Sequence, residues 1–343
     1  MTKLAVVILN WNGEKLLREF LPTVIENSKV PGVDVIVADN ASTDHSIQIL
    51  ETEFPTVKII RLDKNYGFTG GYNRALKQVE AEYIILLNSD IAPGNNWLPP
   101  LLKEMDENAN TAICVPKIKS YRHPECFEYA GAAGGFIDKY GFPFCRGRIF
   151  NQIEEDKGQY NQSGPIFWAS GAAMVVRTKL FFESGGLDED FFAHMEEIDL
   201  CWRMKNRGWD VKYIAESEVY HLGGATLDYN NPRKVYLNFR NNLFLLTKNI
   251  AKNKLFVKLL QRMIIDGIAA VKFLFSAEFN NFWSVFRAHV RFYIMFFTMY
   301  KKRKQNLMQT NHNQHHEMYP GSIVVQFFIK GVRKYSELNN FIR

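Results

Sequence analysis

Four short stretches of this chain bring together side chains able to bind ions, take protons or hold ring nitrogens. In the first, one apolar run ends in Asn10-Trp11-Asn12-Gly13 and another in Asp39-Asn40-Ala41-Ser42-Thr43-Asp44. A carboxylate at a strand end, with small polar residues opening a helix behind it, suits a ligand with hydroxyls and ring N–H groups, and the helix start adds backbone donors. An Asp-Asn pair in such a place is also ordinary turn chemistry. In the second stretch the hydrophobic Tyr83-Ile84-Ile85-Leu86-Leu87 delivers Asn88-Ser89-Asp90. A strand-end acid can present Mg²⁺ or Mn²⁺ to a diphosphate, because phosphates and water complete the octahedron. The charge of such a cation stabilises a departing nucleoside diphosphate, although strand-end aspartates are common in α/β proteins.

The third stretch, Asp188 to Arg203, crowds Glu196, Glu197 and Asp199 into the first turn of a helix. Acids there complement the helix dipole for tenths of a kcal/mol to about 1 kcal/mol each. Dipole complementation leaves unexplained the bulky Phe191-Phe192 just upstream, which is expected to bury this end and perturb the acids. A partly buried carboxylate beside a hydroxyl substrate can serve as a general base. The fourth stretch, Val219 to Thr226, sets His221 at a strand end before a glycine-rich turn. A lone histidine is more often structural, but with Asp90 it makes a two-residue ligand set for a metal.

The elements that must position these residues follow from the periodicity. Leu4–Leu9, Val33–Ala38, Val57–Arg61 and Tyr83–Leu87 are short apolar runs of the kind buried on both faces of a parallel sheet. Helical spacing separates them: Leu16 to Val24, then Ile47 to Leu50 behind the capping candidates Ser42-Thr43-Asp44, then Ala75, Leu76 and Val79 in a helix starting near Gly70. This alternation predicts an α/β fold with a doubly wound, mostly parallel sheet flanked by helices. Such sheets bind ligands at the carboxyl ends of their strands, where the first, second and fourth stretches lie. Tyr121–Pro165 has little periodicity and reads as a long binding loop. Strands are expected at Gly171–Arg177, Val211–Ile214 and Glu218–His221, and helices from Thr178 and over Met195–Arg207. Beyond Tyr236 the pattern is helical nearly to Lys304, followed by a polar interval and a last apolar-basic stretch, Ile323–Arg343.

Charge divides the chain in two. From Ala251 onward there are 15 Lys/Arg against 4 Asp/Glu, while residues 1–250 are net acidic within an overall charge of +6. Residues 1–250 are therefore expected to form the catalytic domain, and 251–343 a basic, aromatic-rich helical appendage that associates with a membrane surface. Its longest apolar block, between Arg291 and Lys301, falls short of the ~20 residues that span a bilayer. Lys301-Lys302-Arg303-Lys304 is expected to face anionic headgroups, unless the appendage packs on protein. The four cysteines form no CxxC pair and read as free thiols. With no secretory signal ahead of the first strand, the expected location is the cytoplasm, peripheral on the inner face of the cell membrane. No nucleic-acid module is visible, and homo-oligomers stay open.

Taken in order, strand-Asn-Trp-Asn, Val-Ala-Asp-Asn-Ala-Ser-Thr-Asp, Asn-Tyr-Gly-Phe-Thr-Gly-Gly-Tyr-Asn, Leu-Leu-Asn-Ser-Asp and Glu-Glu-Ile-Asp-Leu-Cys-Trp-Arg resemble glycosyltransferase family 2 over roughly residues 4–250. The likeness is greatest to its bacterial rhamnosyltransferase-like branch, which has the GT-A fold. The resemblance implies that Asp39 holds a uracil or thymine base, with Asn10, Asn12 and Asn40 in the same pocket, and that Gly70, Gly71 and Asn73 lie against the nucleotide. Asp90 matches the last acid of the family's metal motif, Asn88 stands where its first acid falls, and His221 matches a histidine completing the metal site. Glu197 matches the catalytic base, an aspartate in most relatives, with Glu196 the alternative. Trp202 and Arg203 depart from the Gln-x-x-Arg-Trp element of processive relatives, which implies one sugar per encounter.

The implied activity is inverting transfer of a hexosyl or deoxyhexosyl group, rhamnosyl among them. The donor is a UDP- or dTDP-sugar and the acceptor a saccharide of cell-envelope polysaccharide synthesis, with a membrane-facing rear favouring a lipid-linked one. Two other readings stand beside it. A nucleotidyltransferase needs a Lys/Arg-containing, Gly-rich loop after the first strand, where this chain has Asn-Trp-Asn-Gly-Glu. A non-catalytic nucleotide-binding scaffold at the membrane would draw on the exchange of Asp for Glu at position 197.

Overall fold

A computed structural model of the protein describes residues 2–223, 231–338 and 341. The large sheet is built from β1 (Thr2–Asn10), β2 (Val33–Asp39), β3 (Lys58–Arg61), β4 (Ala81–Leu87), β5 (Ile91–Pro93) and β6 (Thr111–Ser120). Beyond them in the chain lie four short strands: β7 (Gly135–Asp138), β8 (Pro143–Cys145), β9 (Arg148–Ile149) and β10 (Gln152–Ile153). Then come β11 (Gly164–Pro165), β12 (Ala173–Arg177), β13 (Asp210–His221) and β14 (Met318–Tyr319). The helices are α1 (Glu14–Asn27), α2 (Ser46–Glu53), α3 (Gly67–Leu76), α4 (Leu98–Glu107), α5 (Thr178–Glu183) and α6 (Glu196–Asn206). The chain then continues through α7 (Pro232–Asn249), α8 (Leu255–Phe275), α9 (Phe279–Met308) and α10 (Ile323–Phe328).

The spatial order of the large sheet is β11-β13-β6-β12-β4-β1-β2-β3, with β5 paired to β13. β1, β2, β3 and β4 run parallel; β12 runs antiparallel between β4 and β6. Leu4–Ile8 and Tyr83–Leu87 are fully buried, as continuous apolar strands covered on both faces must be. Helix α1 buries Leu17, Phe20, Leu21 and Val24, one stripe at helical spacing. Register is what matters for function. Asn10 stands opposite Asp39, and His221 stands opposite Ile91, one residue after Asp90. Polar residues separated by more than a hundred positions therefore reach one edge of the sheet.

Three expectations change. Tyr121–Pro165 is not a bare loop: β7 to β10 form a second sheet, closed by β14 in the order β10-β9-β8-β7-β14. Its strands are too short to show a period, and the partner of β7 comes from a segment about 180 residues away. Val211–Ile214 and Glu218–His221 are one strand, β13, interrupted by a register shift against β6. Helix α3 starts at Gly67 rather than near Gly70, so Gly70 and Gly71 lie inside it.

The long helical stretch is three helices that pack on one another. α8 buries Leu255, Leu259, Arg262 and Asp266, and turns outward Phe256, Leu260, Ile264, Ile268, Val271 and Phe275. α9 does the same with Phe279, Trp283, Phe286, Val290, Ile294 and Phe297 outward. Among the described residues no helix is long and apolar enough to cross a membrane. The basic run at 301–304 is divided. Lys302 reaches inward to Asp188 Oδ1 (2.5 Å) and Asp190 Oδ2 (2.6 Å), Arg303 is buried, and Lys301 and Lys304 are exposed.

Candidate active site

The first polar cluster is built where β1 and β2 end in register. Asn10 Nδ2 donates to Asp39 Oδ1 (3.1 Å) and to Ser42 Oγ (3.2 Å), and the Ser42 backbone N–H donates to Asp39 Oδ2 (2.9 Å). Asn12 takes a left-handed backbone (φ 51°), and its Oδ1 accepts from Thr43 N at 2.7 Å. These bonds lock the two strand-end loops together, with Asn10, Asn12 and Asp39 on one rim. Asp39 thus serves as the turn's own acceptor, and Asn10 Oδ1 is a buried oxygen with no partner. Asn40 works behind the rim. It donates to Asn65 Oδ1 and Gly67 O (both 3.0 Å) and accepts from Tyr66 N, shaping the turn that starts α3.

The α3 residues are engaged with protein. A methyl group on Gly71 would lie 2.9 Å from both terminal carbons of Leu9 and 3.0 Å from Asn40 Nδ2. Gly71 is thus what lets the helix approach β1. Asn73 faces the other way, exchanging hydrogen bonds with the backbone of Leu187 at 2.7 and 2.9 Å.

The second cluster forms because β5 turns back immediately after Asp90 and pairs with the end of β13. His221 Nε2 lies 3.1 Å from Asp90 Oδ1, and Leu222 N donates to Asp90 O at 3.1 Å. On the far side of the ring, Nδ1 faces Glu128 Oε2 at 3.4 Å. All three side chains are buried. Burial alone would lower the imidazole pKa, but the hydrogen bond to Asp90 and the adjacent Glu128 carboxylate outweigh it and raise the ring to about 10. Two carboxylates therefore draw a positive charge onto this point.

A divalent cation would meet the same demand. Adjacent ligands of an octahedral ion with bonds of about 2.1 Å stand roughly 3.0 Å apart, close to the Asp90–His221 separation. Glu128 would then orient the imidazole from behind, as ligating histidines usually require. Among the described residues no group of three or more His, Cys, Asp or Glu side chains is arranged to hold an ion. A cation held by Asp90 and His221 would need phosphate and water to complete its shell. Glu128, between Phe127 and Tyr129 in the stretch read as a loop, carried no sequence signal. The glycine-rich turn continuing through Gly224-Ala225-Thr226 lies outside the described residues.

The acidic cluster sits at the start of α6. Phe192, His194 and Met195 all have positive φ (67°, 68° and 74°), an unusual density of left-handed non-glycine residues. Helix α7 holds this loop. Asn241 Nδ2 donates to the carbonyls of Phe191 (3.0 Å), Ala193 (2.8 Å) and His194 (2.7 Å), and Arg240 Nη2 donates to Asp190 O and Phe191 O. Neither residue was foreseen, because they lie about 45 positions downstream in a helix whose pattern reports only packing. Phe191 is fully buried as expected, whereas Phe192 is exposed.

Three acids then part company. Asp199 turns into the protein, where Lys248 (2.7 Å), Arg203 (2.8 Å) and Asn249 (2.7 Å) bind it. Burial would raise its pKa, but Lys248 and Arg203 hold it below the ordinary range. Glu196 is buried and pushed well up by desolvation and by the neighbouring Glu197. Glu197 reaches the surface in part, yet one carboxylate oxygen is shielded and unpartnered. Desolvation lifts it to about 7 despite the nearby backbone N–H groups of the helix start. Glu197 also connects to the rest of the site. A methyl group on Gly171 would lie 3.7 Å from its Cβ and 3.8 Å from Phe68 Cζ, and the next residue, Ala172, accepts from Asn88 N at 2.9 Å.

A polar rim at the ends of β1 and β2, an Asp-His pair and a glutamate of raised pKa thus gather at the carboxyl edge of one sheet. A family model for glycosyl transferase family 2 matches residues 5–179, just over half of the chain. The chain belongs to glycosyl transferase family 2. Within this family it is 27% identical over 236 residues to an N-acetylglucosaminyl-diphospho-decaprenol L-rhamnosyltransferase of Mycobacterium tuberculosis, covering 64% of this chain and 75% of the relative. It is 25% identical to the dTDP-rhamnosyl transferase RfbF of Shigella flexneri, over 71% of this chain and 79% of that one. These relatives put it in the bacterial rhamnosyltransferase-like branch. Among solved structures it resembles GalNAc-T7 with UDP, GalNAc and Mn²⁺ (TM-score 0.55, 15% identity), covering 72% of this chain and 48% of that one. It also resembles S. aureus TarS 1-349 in complex with UDP (TM-score 0.51, 17% identity), over 76% of this chain and 70% of that one. The fold of this glycosyltransferase is GT-A, with helices following it.

Proposed function

We propose that this glycosyltransferase moves a deoxyhexosyl or hexosyl group, rhamnosyl first among them, from a dTDP- or UDP-sugar to a lipid-linked saccharide, with inversion at the anomeric carbon. The single observation that carries the reading is Glu197, a carboxylate with a pKa raised to about 7. It stands beside the loop that meets the end of β4, the strand leading to Asp90, which His221 faces from the end of β13. A base that titrates near neutrality is matched to removing a proton from a sugar hydroxyl.

Asn10, Asn12 and Asp39 form the rim for the base and ribose. Asp90 and His221 would hold a divalent cation, Mg²⁺ or Mn²⁺, which when bound offsets the charge of the donor diphosphate. Glu197 takes the acceptor proton as the hydroxyl oxygen bonds to the anomeric carbon. The bond to the nucleoside diphosphate breaks on the opposite face, through an oxocarbenium-like transition state. Glu196, kept protonated by burial beside Glu197, keeps a second negative charge out of the cleft. The names of the M. tuberculosis and S. flexneri relatives support a rhamnosyl donor, and that of the former a lipid-linked acceptor. The apolar outer faces of α8 and α9 suit an enzyme working on the inner membrane surface, as the helical part of the chain after residue 250.

Titration of the protein with UDP-, dTDP- and GDP-sugars, with Mn²⁺, Mg²⁺ or EDTA, tests the reading. Binding of one uridine or thymidine sugar is expected to need a divalent cation and to be lost in Asp90→Ala. Binding unaffected by EDTA and by Asp90→Ala would remove the metal role. Binding of no nucleotide sugar would remove the donor assignment.

A further inference from the structure

Between the start of α8 and the end of α9 lies an open cavity of about 550 Å³, with Lys252, Arg303 and Lys304 among its lining residues and Leu255, Phe256 and Met308 as apolar walls. Arg303 is the unusual member. Only 2% of it is exposed, and its Nη1 donates to Thr247 O (3.0 Å) and Ile250 O (2.6 Å) at the end of α7. Its Nη2 is buried and has no partner. The neighbouring Lys302 is satisfied by Asp188 and Asp190, whereas no carboxylate among the described residues pairs with Arg303. A guanidinium removed from water without a counter-charge is costly, and its planar donors fit phosphate oxygens.

The mouth of the cavity identifies the source of the phosphate. Phe256 is 70% exposed and Met308 79% exposed. Phe256 is also the first residue of the outward stripe that continues through Leu260, Ile264, Ile268 and Val271 at spacings of three or four. The cavity thus joins a cationic interior to an apolar face at least 20 Å long, at about 1.5 Å per residue. A second copy of the chain would bring like-charged borders together, since the region from Ala251 onward carries 15 Lys/Arg against 4 Asp/Glu. An anionic membrane complements both features.

We propose that this cavity binds the phosphate of a membrane lipid headgroup, with Arg303, Lys252 and Lys304 around it and the α8–α9 face in the acyl boundary. The assignment rests on the reading of this chain as a membrane-surface enzyme, and it places the lipid contact away from the donor pocket.

Flotation of the full chain with three vesicle preparations tests it: phosphatidylcholine alone, phosphatidylcholine with 30% phosphatidylglycerol, and phosphatidylcholine with oleate adjusted to the same surface potential. The wild type should prefer phosphatidylglycerol to both others. Lys252→Ala/Lys304→Ala should bind it about thirty-fold more weakly, roughly fivefold for each exposed lysine. Arg303→Gln should erase the preference over oleate. Nucleotide-sugar binding, measured in the same preparations, should stay unchanged in the lysine double variant. Equal binding to oleate and phosphatidylglycerol would overturn the phosphate site. So would full vesicle binding by the double variant, or inorganic phosphate binding in a protein that ignores vesicles. A concentration-dependent dimer without vesicle binding would assign the face to a second copy instead. Loss of donor binding in the wild type would count against the proposed reaction and leave the vesicle result standing.

Discussion

Glu197→Gln should make the enzyme inactive and more stable at once. An ordinary glutamate titrates near 4.5 and this one near 7, because its carboxylate is desolvated at the start of α6. At about 1.4 kcal/mol for each unit of pKa, keeping it ionised in the folded protein costs about 3 kcal/mol at pH 8. The sign follows from the raised value. Between pH 4.5 and 7 the folded protein holds a proton that the unfolded chain has released, so this group lowers stability as pH rises through that window. Glutamine carries no charge and removes the cost, less whatever its unpaired amide loses by burial. The expected gain is thus roughly 1–3 kcal/mol at pH 8, vanishing toward pH 4.5. Transfer should fall by about 10²–10⁴, the usual worth of a general base. Wild-type kcat/KM should rise with pH to a plateau above about 7, while donor affinity stays flat. Urea denaturation at pH 5 and pH 8, with a nucleotide-release assay, reads both quantities. A variant that turns over normally, or that loses stability at pH 8, would refute the account of this residue.

Other perturbations probe the support around it. Asn241→Ala removes three donor contacts from the left-handed loop before Glu196. It should cost about 1–3 kcal/mol of stability and about 10–100-fold in kcat. Donor Kd should be unaffected in calorimetry, and an equal loss in donor binding would make the residue merely structural. Lys248→Met leaves the buried Asp188 and Asp199 short of a shared cation. It should cost about 3–5 kcal/mol in urea melts at neutral pH, with a penalty that narrows in acid as the carboxylates protonate. Gly71→Ala forces a methyl group against Leu9 and Asn40. A loss of about 1–3 kcal/mol is expected, where an unchanged melting curve would show that α3 has room to retreat.

Much of the site was legible because its signals are local. An apolar strand ending in Asp90 or His221 announces both the element and the residue it delivers, and the rule that ligands sit at carboxyl ends does the rest. Asp39 was legible for the same reason, although its double use as turn acceptor and rim residue depends on Asn10 and Ser42 meeting it in the fold. Asn73 and Gly71 were assigned to the nucleotide side by resemblance. Asn73 instead bonds the backbone of Leu187 and Gly71 lies against Leu9, contacts that no spacing could report.

Composition and periodicity determined the α/β class, the parallel core, the carboxyl-edge location of the polar residues and the division of charge at about residue 250. All of these depend on neighbours within a turn or a strand, where period and residue type are enough. Tertiary structure decided which of Glu196, Glu197 and Asp199 meets the cleft, because only there does Lys248, fifty residues on, claim Asp199. It decided that Glu128 stands behind His221 and that Asn241 restrains the loop before Glu196 and Glu197. It also turned Lys302 and Arg303 inward from a run that reads as a uniform basic patch. Long-range pairing of charge and hydrogen-bond donors leaves no periodic trace in a sequence, since any two positions can meet once the chain between them folds.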